Sequence, residues 1–137
     1  MKTKKEKISY LIGCFLGDGC IYIGTHNYQF SITSSDLDML EICQNICFEI
    51  FNKKGNIKNI YKNNKYSYSQ LIICSKNICL FLNRVTKNRS HIPYLKDIQN
   101  IKYICSGLMD SDGWISKVNA ADGYVRYRIG FKNTSSF

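Results

Sequence analysis

Two aspartates, Asp18 and Asp112, stand in matching local contexts 94 positions apart (112 − 18 = 94). Each closes an apolar stretch of helical character, Leu11-Ile12-Gly13-Cys14-Phe15-Leu16-Gly17 before Asp18 and Cys105-Ser106-Gly107-Leu108-Met109-Asp110-Ser111 before Asp112. At a helix C terminus the macrodipole already places about half a negative charge, so a carboxylate there costs a few tenths to about 1 kcal/mol unless a cation compensates it. The glycines that follow, Gly19 and Gly113, can adopt a left-handed cap that ends the helix and leaves its last carbonyls free. Two such ends brought together make a hard-oxygen site suited to Mg²⁺. The same helices carry the means of bringing them together. Gly13 and Gly17 are four apart, as are Gly107 and Ser111, and small residues at that spacing let helix backbones approach closely.

The likeness of the two segments extends beyond them and reads as a duplication. After Gly19 come a strand, a turn at His26-Asn27 and a second strand ending Thr33-Ser34-Ser35. After Gly113 come a strand, a turn at Asn119-Ala120-Ala121-Asp122-Gly123 and a strand ending Thr134-Ser135-Ser136. The first unit continues. Ser35 or Asp36 caps a helix with an apolar stripe of Leu37, Leu40, Cys43, Ile46, Cys47, Ile50 and Phe51, and Gly55 closes it. Residues 56–62 and 66–74 form a hairpin turning at Asn63-Asn64. A short helix from Lys76 to Val85 sets Ile78, Leu82 and Val85 on one side, and Thr86 to Pro93 is a basic connector. The second unit reaches Phe137 after one helix and two strands, about 50 residues short of the first unit's template. The expectation is a fragment, a broken gene, or a half completed by another chain: a monomer if the polypeptide continues past 137, a pair otherwise.

The 137 residues are 45% hydrophobic and 13% aromatic, enough to bury a core. Lys and Arg number 19 against 10 Asp and Glu, a formal net charge of +9 that attracts polyanions, nucleic acid or an anionic membrane surface. No apolar run approaches the roughly 18 residues of a spanning helix, which excludes an integral membrane protein. The basic run Met1-Lys2-Thr3-Lys4-Lys5-Glu6-Lys7 precedes a stretch broken at Gly13, Gly17 and Asp18, which excludes a secretory signal. Seven cysteines, odd in number and mostly among apolar neighbours, read as reduced thiols of an intracellular protein. Cys43 and Cys47 lie on an apolar helix stripe, there is no CxxC pair, and only His26 and His91 could assist, which argues against zinc.

The segments LIGCFLGDG (Leu11 to Gly19) and CSGLMDSDG (Cys105 to Gly113) resemble the two signature motifs of the LAGLIDADG homing endonucleases. The helix-strand-strand-helix-strand-strand order also resembles that family's double-motif members, over essentially the whole chain. The implied fold is α+β: an αββαββα unit over residues 1–93 followed by a partial αββ unit over 94–137, with antiparallel strands forming a saddle beneath two packed motif helices. The resemblance implies that Asp18 and Asp112 are the catalytic, metal-binding acids, and that Gly17 and Ser111 lend backbone carbonyls to the same ions. The implied cofactor is Mg²⁺ or another divalent cation, and the implied reaction is hydrolysis of one phosphodiester on each strand of double-stranded DNA across the minor groove. Leu16 stands where the family often has an earlier acid. The family's basic contributor, often a lysine shortly before an Ile-Pro pair, has no direct counterpart, because Ile92-Pro93 follows Arg89-Ser90-His91 and Ser90 takes the expected place. Lys87, Arg89, His91 and Lys96 are the candidate basic assistants. A non-cleaving relative, such as an intron maturase or DNA-binding regulator, or an inactive remnant, is the alternative.

Family members read DNA with a saddle of strands, and a two-stranded ribbon fits the major groove. Alternation along each strand then sorts the faces. With Ile21 and Ile23 inward, Tyr22, Gly24 and His26 face out. With Phe30 and Ile32 inward, Gln29, Ser31 and Thr33 face out. Leu71 and Ile73 inward leave Tyr68, Gln70 and Ile72 on the DNA side, with Lys58 and Lys62 as phosphate or base contacts. In the second unit Ile129 and Phe131 inward turn Arg126 and Arg128 outward, and Lys117 aligns with inward-facing Ile23.

Overall fold

Thr3 opens the first helix, α1 (Lys4–Asp18), its hydroxyl accepting from the Glu6 N–H at 3.1 Å. The structure, a computed structural model, describes residues 3–86, 98–119 and 125–131, and the side chains of 3–86 and 102–111. Every residue from Ser9 to Leu16 is buried, so α1 is covered on all sides rather than along one stripe. The chain leaves it without a left-handed cap: Gly19 has φ −83° and ψ 157° and runs straight into β1 (Gly19–Ile23). Glycine is required there for space, not for its dihedral freedom, since a Cβ would stand 2.6 Å from both Cα and Cδ2 of Phe15.

The strand β1 pairs antiparallel with β2 (Tyr28–Ser34), Gly19 opposite Ile32 and Ile21 opposite Phe30. Asp36 caps α2 (Leu37–Phe51), accepting from the Met39 N–H at 3.2 Å. This helix ends at Asn52, whose φ of 57° is left-handed, three residues before the expected Gly55. A short polar side chain tolerates that conformation. The buried face of α2 is Met39, Leu40, Cys43, Ile46 and Cys47, whereas the expected Leu37 is 42% exposed in the first turn, beyond the reach of the core.

The hairpin of β3 (Asn56–Lys62) and β4 (Lys65–Ile73) turns at Asn63 and Asn64, φ 54° and 62°, the two positive angles that a type I′ turn demands. The sheet order is β1-β2-β4-β3, all antiparallel. Its inward row, Phe30, Ile32, Leu71 and Ile73, is buried against α1, α2 and α3 (Lys76–Thr86), with the Phe15 and Phe30 rings 6.3 Å apart. Ile78, Cys79 and Leu82 complete the core from α3, while Val85 is half-buried. Ile23 keeps the inward parity of Ile21 but is 42% exposed, at the end of an edge strand.

The second unit repeats the opening of the first: α4 (Ile98–Asp112) passes directly into β5 (Gly113–Asn119), which pairs antiparallel with β6 (Val125–Phe131). Among the described residues no helix is long and apolar enough to cross a membrane.

Candidate nucleic-acid interface and helix-end site

The site begins where α1 meets α4. A Cβ on Gly13 would collide with the Ile104 carbonyl oxygen and lie 3.0 Å from the Gly107 Cα; one on Gly107 would collide with the Tyr10 carbonyl oxygen and lie 2.7 Å from the Cys14 nitrogen. These two glycines are repeat-equivalent (107 − 13 = 94). A Cβ leans toward the N terminus of its own helix, and the nearest partner atom to each of these is a carbonyl oxygen three residues N-terminal to the partner's glycine, that of Ile104 or of Tyr10. The helices therefore run in the same sense. Asp18 lies five residues beyond Gly13 (18 − 13 = 5) and Asp112 five beyond Gly107 (112 − 107 = 5), about 7.5 Å of helical rise past the crossing in both cases.

Each of the two helices ends at its aspartate, and neither has a basic residue in its last turn to offset the carboxylate and the dipole. Asp18 is half-buried. The side chain of Asp112 lies outside the described residues. The Ser111 hydroxyl turns back to donate to the carbonyls of Gly107 at 2.8 Å and Leu108 at 3.3 Å, so what Ser111 can offer a cation is its backbone oxygen. That oxygen and the one of Gly17 lie in the final turns, where intrahelical donors run out.

Across the outer face of the sheet the register aligns Cys20, Ser31, Ile72 and Asn56 in one row and Thr33, Gln70 and Lys58 in the next, with Tyr22 opposite Gln29. Tyr22, His26, Gln29, Thr33, Lys58 and Lys62 are exposed, and Ser31, Tyr68 and Gln70 half-buried. The ammonium of Lys62 is 5.3 Å from the Tyr68 ring centre, a cation–π contact that links two of the expected contacts.

The model of the LAGLIDADG-like domain family matches residues 5–86. The chain is a LAGLIDADG protein. The match takes in α1 from residue 5, the four-stranded sheet and α3, while α4 lies beyond it. Solved structures with the same fold include the homing endonuclease I-DmoI in complex with DNA and calcium, at 19% identity and a TM-score of 0.59, covering 82% of this chain and 60% of that one. Mesophilic variants of I-DmoI match at 17% and 0.57, covering 80% and 63%, and I-DmoI in complex with DNA and manganese at 16% and 0.57, covering 88% and 72%. At these identities the likeness is one of fold. The LAGLIDADG chain spans about 60% of the length of the first of these structures. No curated protein matches it.

Lys87, Arg89, His91 and Lys96 lie outside the described residues. Arg126 and Arg128 sit on β6 at one parity, opposite Val118 and Ser116, with their side chains also outside what is described; Lys117 stands opposite Tyr127 on the other parity.

Two features of this LAGLIDADG domain had no part in the sequence reading. The Tyr10 hydroxyl donates to Asp110 Oδ2 at 2.6 Å across the helix pair. Burial first, then neighbouring Cys14 and the bond to Asp110, push the Tyr10 phenol well above its ordinary range, so it remains a donor at any physiological pH. The second is a cavity of about 420 Å³ beside the β1–β2 turn, lined by Tyr22, His26, Tyr28, Gln29, Ser75 and Lys76 among others, with the Lys76 ammonium 5.7 Å from the Tyr28 ring centre. Lys76 could have been found from its place at the first position of the helix that follows β4.

Proposed function

We propose that this chain takes part in sequence-specific, metal-dependent cleavage of double-stranded DNA, in the manner of a homing endonuclease, with residues 1–93 and 94–137 as its first and second half-domains. Asp18 and Asp112 act as the metal-binding acids, with the backbone carbonyls of Gly17 and Ser111 beside them. The observation that carries the reading is the contact of Gly13 with Gly107, which packs two aspartate-ended helices in the same sense. The donor set suits a hard divalent cation, because carboxylates and helix-end carbonyls are oxygen ligands. When bound, such an ion activates water and neutralises charge on the leaving oxygen.

The remaining residues bind and orient. Gln29, Ser31, Thr33 and Gln70 present donors and acceptors suited to base edges, and Lys58 and Lys62 supply phosphate contacts. The basic N-terminal run adds sequence-independent attraction. Seven free thiols favour a reducing compartment as the place of action.

The experiment is cleavage of a randomised duplex library with Mg²⁺, by the wild type, Asp18→Asn and Asp112→Asn. The expected result is cutting at a defined sequence that either substitution abolishes, while mobility-shift affinity for the selected duplex is kept within about threefold. Binding without cutting in the wild type would overturn the nuclease reading in favour of a non-cleaving DNA-binding relative.

A further inference from the structure

The contact between the two motif helices is nearly two-fold in its backbone, but not in its side chains. Applying the 94-residue repeat, Tyr10 is equivalent to Ile104 (104 − 10 = 94) and Asp110 to Leu16 (110 − 16 = 94). One side of the helix pair carries the hydrogen bond from Tyr10 to Asp110 at 2.6 Å. The equivalent residues on the other side, Leu16 and Ile104, are buried apolar members of one core cluster. Polar residues are matched on one side of the pseudo-dyad and apolar residues on the other.

We propose that Tyr10 and Asp110, set against Leu16 and Ile104, form a pairing key that makes α1 accept α4 and reject a second α1. Two α1 helices crossing at Gly13 in the same geometry would bring Tyr10 of each against Leu16 of the other. Both phenol hydroxyls, on side chains only 3% exposed here, would then lack an acceptor. Two α4 helices would set Asp110 against Ile104 twice, and each exposed carboxylate would exchange its tyrosine donor for water. Only the unlike pair gives the buried Tyr10 hydroxyl its acceptor, so the interface discriminates chiefly against a second α1, by what that pairing leaves unsatisfied. The glycines cannot provide this discrimination, because Gly13 and Gly107 are the same residue in both helices. The fitting partner of this surface is therefore the unlike motif helix, in the same chain or in another copy, and the inference does not depend on metal chemistry or on cleavage.

The test uses the full chain and three variants, Tyr10→Phe, Asp110→Leu and the two combined, with urea unfolding and sedimentation velocity over a concentration series. Asp110→Leu strands the buried hydroxyl and is expected to lower the folding equilibrium constant by about tenfold or more. Tyr10→Phe leaves an exposed carboxylate to water and should lower it less. The combined variant recovers most of the Asp110→Leu loss, a non-additivity that signals direct coupling. It also has lost the key, so its self-association constant should rise at least tenfold over the wild type. Additive effects in the unfolding series, or equal self-association of wild type and combined variant, would overturn the proposal. Should Asp110→Leu fail to fold, Asp110→Asn supplies a second case: it retains an acceptor for the hydroxyl and should behave as the wild type in both measurements.

Discussion

Gly13 and Gly107, equivalent residues of two repeats, touch where the helices cross, with the Cβ position of Gly13 only 3.0 Å from the Gly107 Cα. Nothing larger than hydrogen fits on either facing surface, because the next atoms are backbone and cannot rotate away. Closeness of the two helices follows from these two absent side chains.

Substitution at this point is therefore expected to be costly despite improved helix propensity. Gly13→Ala gains about 1 kcal/mol of intrinsic helicity, but forces the helices apart, with overpacking penalties of about 1–3 kcal/mol or more. A net loss of roughly 1–2 kcal/mol for Gly13→Ala, and a larger one for Gly13→Val, should be read from urea midpoints. An alanine variant as stable as the wild type would mean that the crossing is looser than this.

Most of the fold was legible because local chemistry and global packing agree. Strong alternation in β2 and β4, the Asp36 cap and the Asn63-Asn64 turn each have a short-range signal, and each forms as expected. The two misread helix ends share one origin, the assumption that glycine marks a helix end by its dihedral freedom. Gly19 is extended and serves only to clear Phe15, while Asn52 takes the left-handed position expected of Gly55. In the helix-end site, the aspartates announce themselves by motif, whereas the Tyr10–Asp110 bond spans 100 residues and has no local signature. It becomes visible only when the repeats are overlaid and Tyr10 falls on Ile104.

The hairpin turn offers a stabilising change. Both central positions have positive φ, a conformation that glycine adopts without the Cβ penalty asparagine still bears. Asn64→Gly, giving the preferred Asn-Gly pair, should leave stability unchanged or raise it by up to about 1 kcal/mol, and Asn64→Val should lower it by about 1 kcal/mol or more. Thermal unfolding of the pair of variants distinguishes this from a turn that tolerates any residue.

Alkaline pH should weaken the fold through its buried thiols. Burial pushes Cys47 up to about 12, while an unfolded cysteine titrates near 8.5. Its neutral form is therefore favoured in the native state. The stability it confers is complete below the unfolded value and is lost as pH rises toward 12, because the unfolded chain releases the proton first. Between pH 9 and 11 the loss from Cys47 alone is about 2–3 kcal/mol. Cys47→Val, which cannot ionise, should flatten this limb of a stability–pH curve measured by urea unfolding; an unchanged slope would place the effect elsewhere, on Cys43, whose ionisation the hydrogen bond with Cys14 and burial oppose, or on Tyr10, whose ionisation burial opposes.

The proposed recognition of DNA on the outer sheet face separates into two measurable parts. Lys58 is exposed and stands opposite Gln70, which in turn stands opposite Thr33, so one cross-strand row combines a cation with two hydrogen-bonding side chains. If Lys58 neutralises a phosphate, Lys58→Ala weakens binding evenly across sequences and reduces the slope of log K against log salt by about 0.9, the release of one counterion. Gln70→Ala acts differently, leaving the salt slope intact and lowering discrimination at one or two base positions by about 1–3 kcal/mol. Titrations of the selected duplex and of single-base variants at several salt concentrations read both quantities. A uniform loss for Gln70→Ala would make that side chain a positioning contact, and would move base reading to Gln29 and Thr33, two exposed polar residues of the same face.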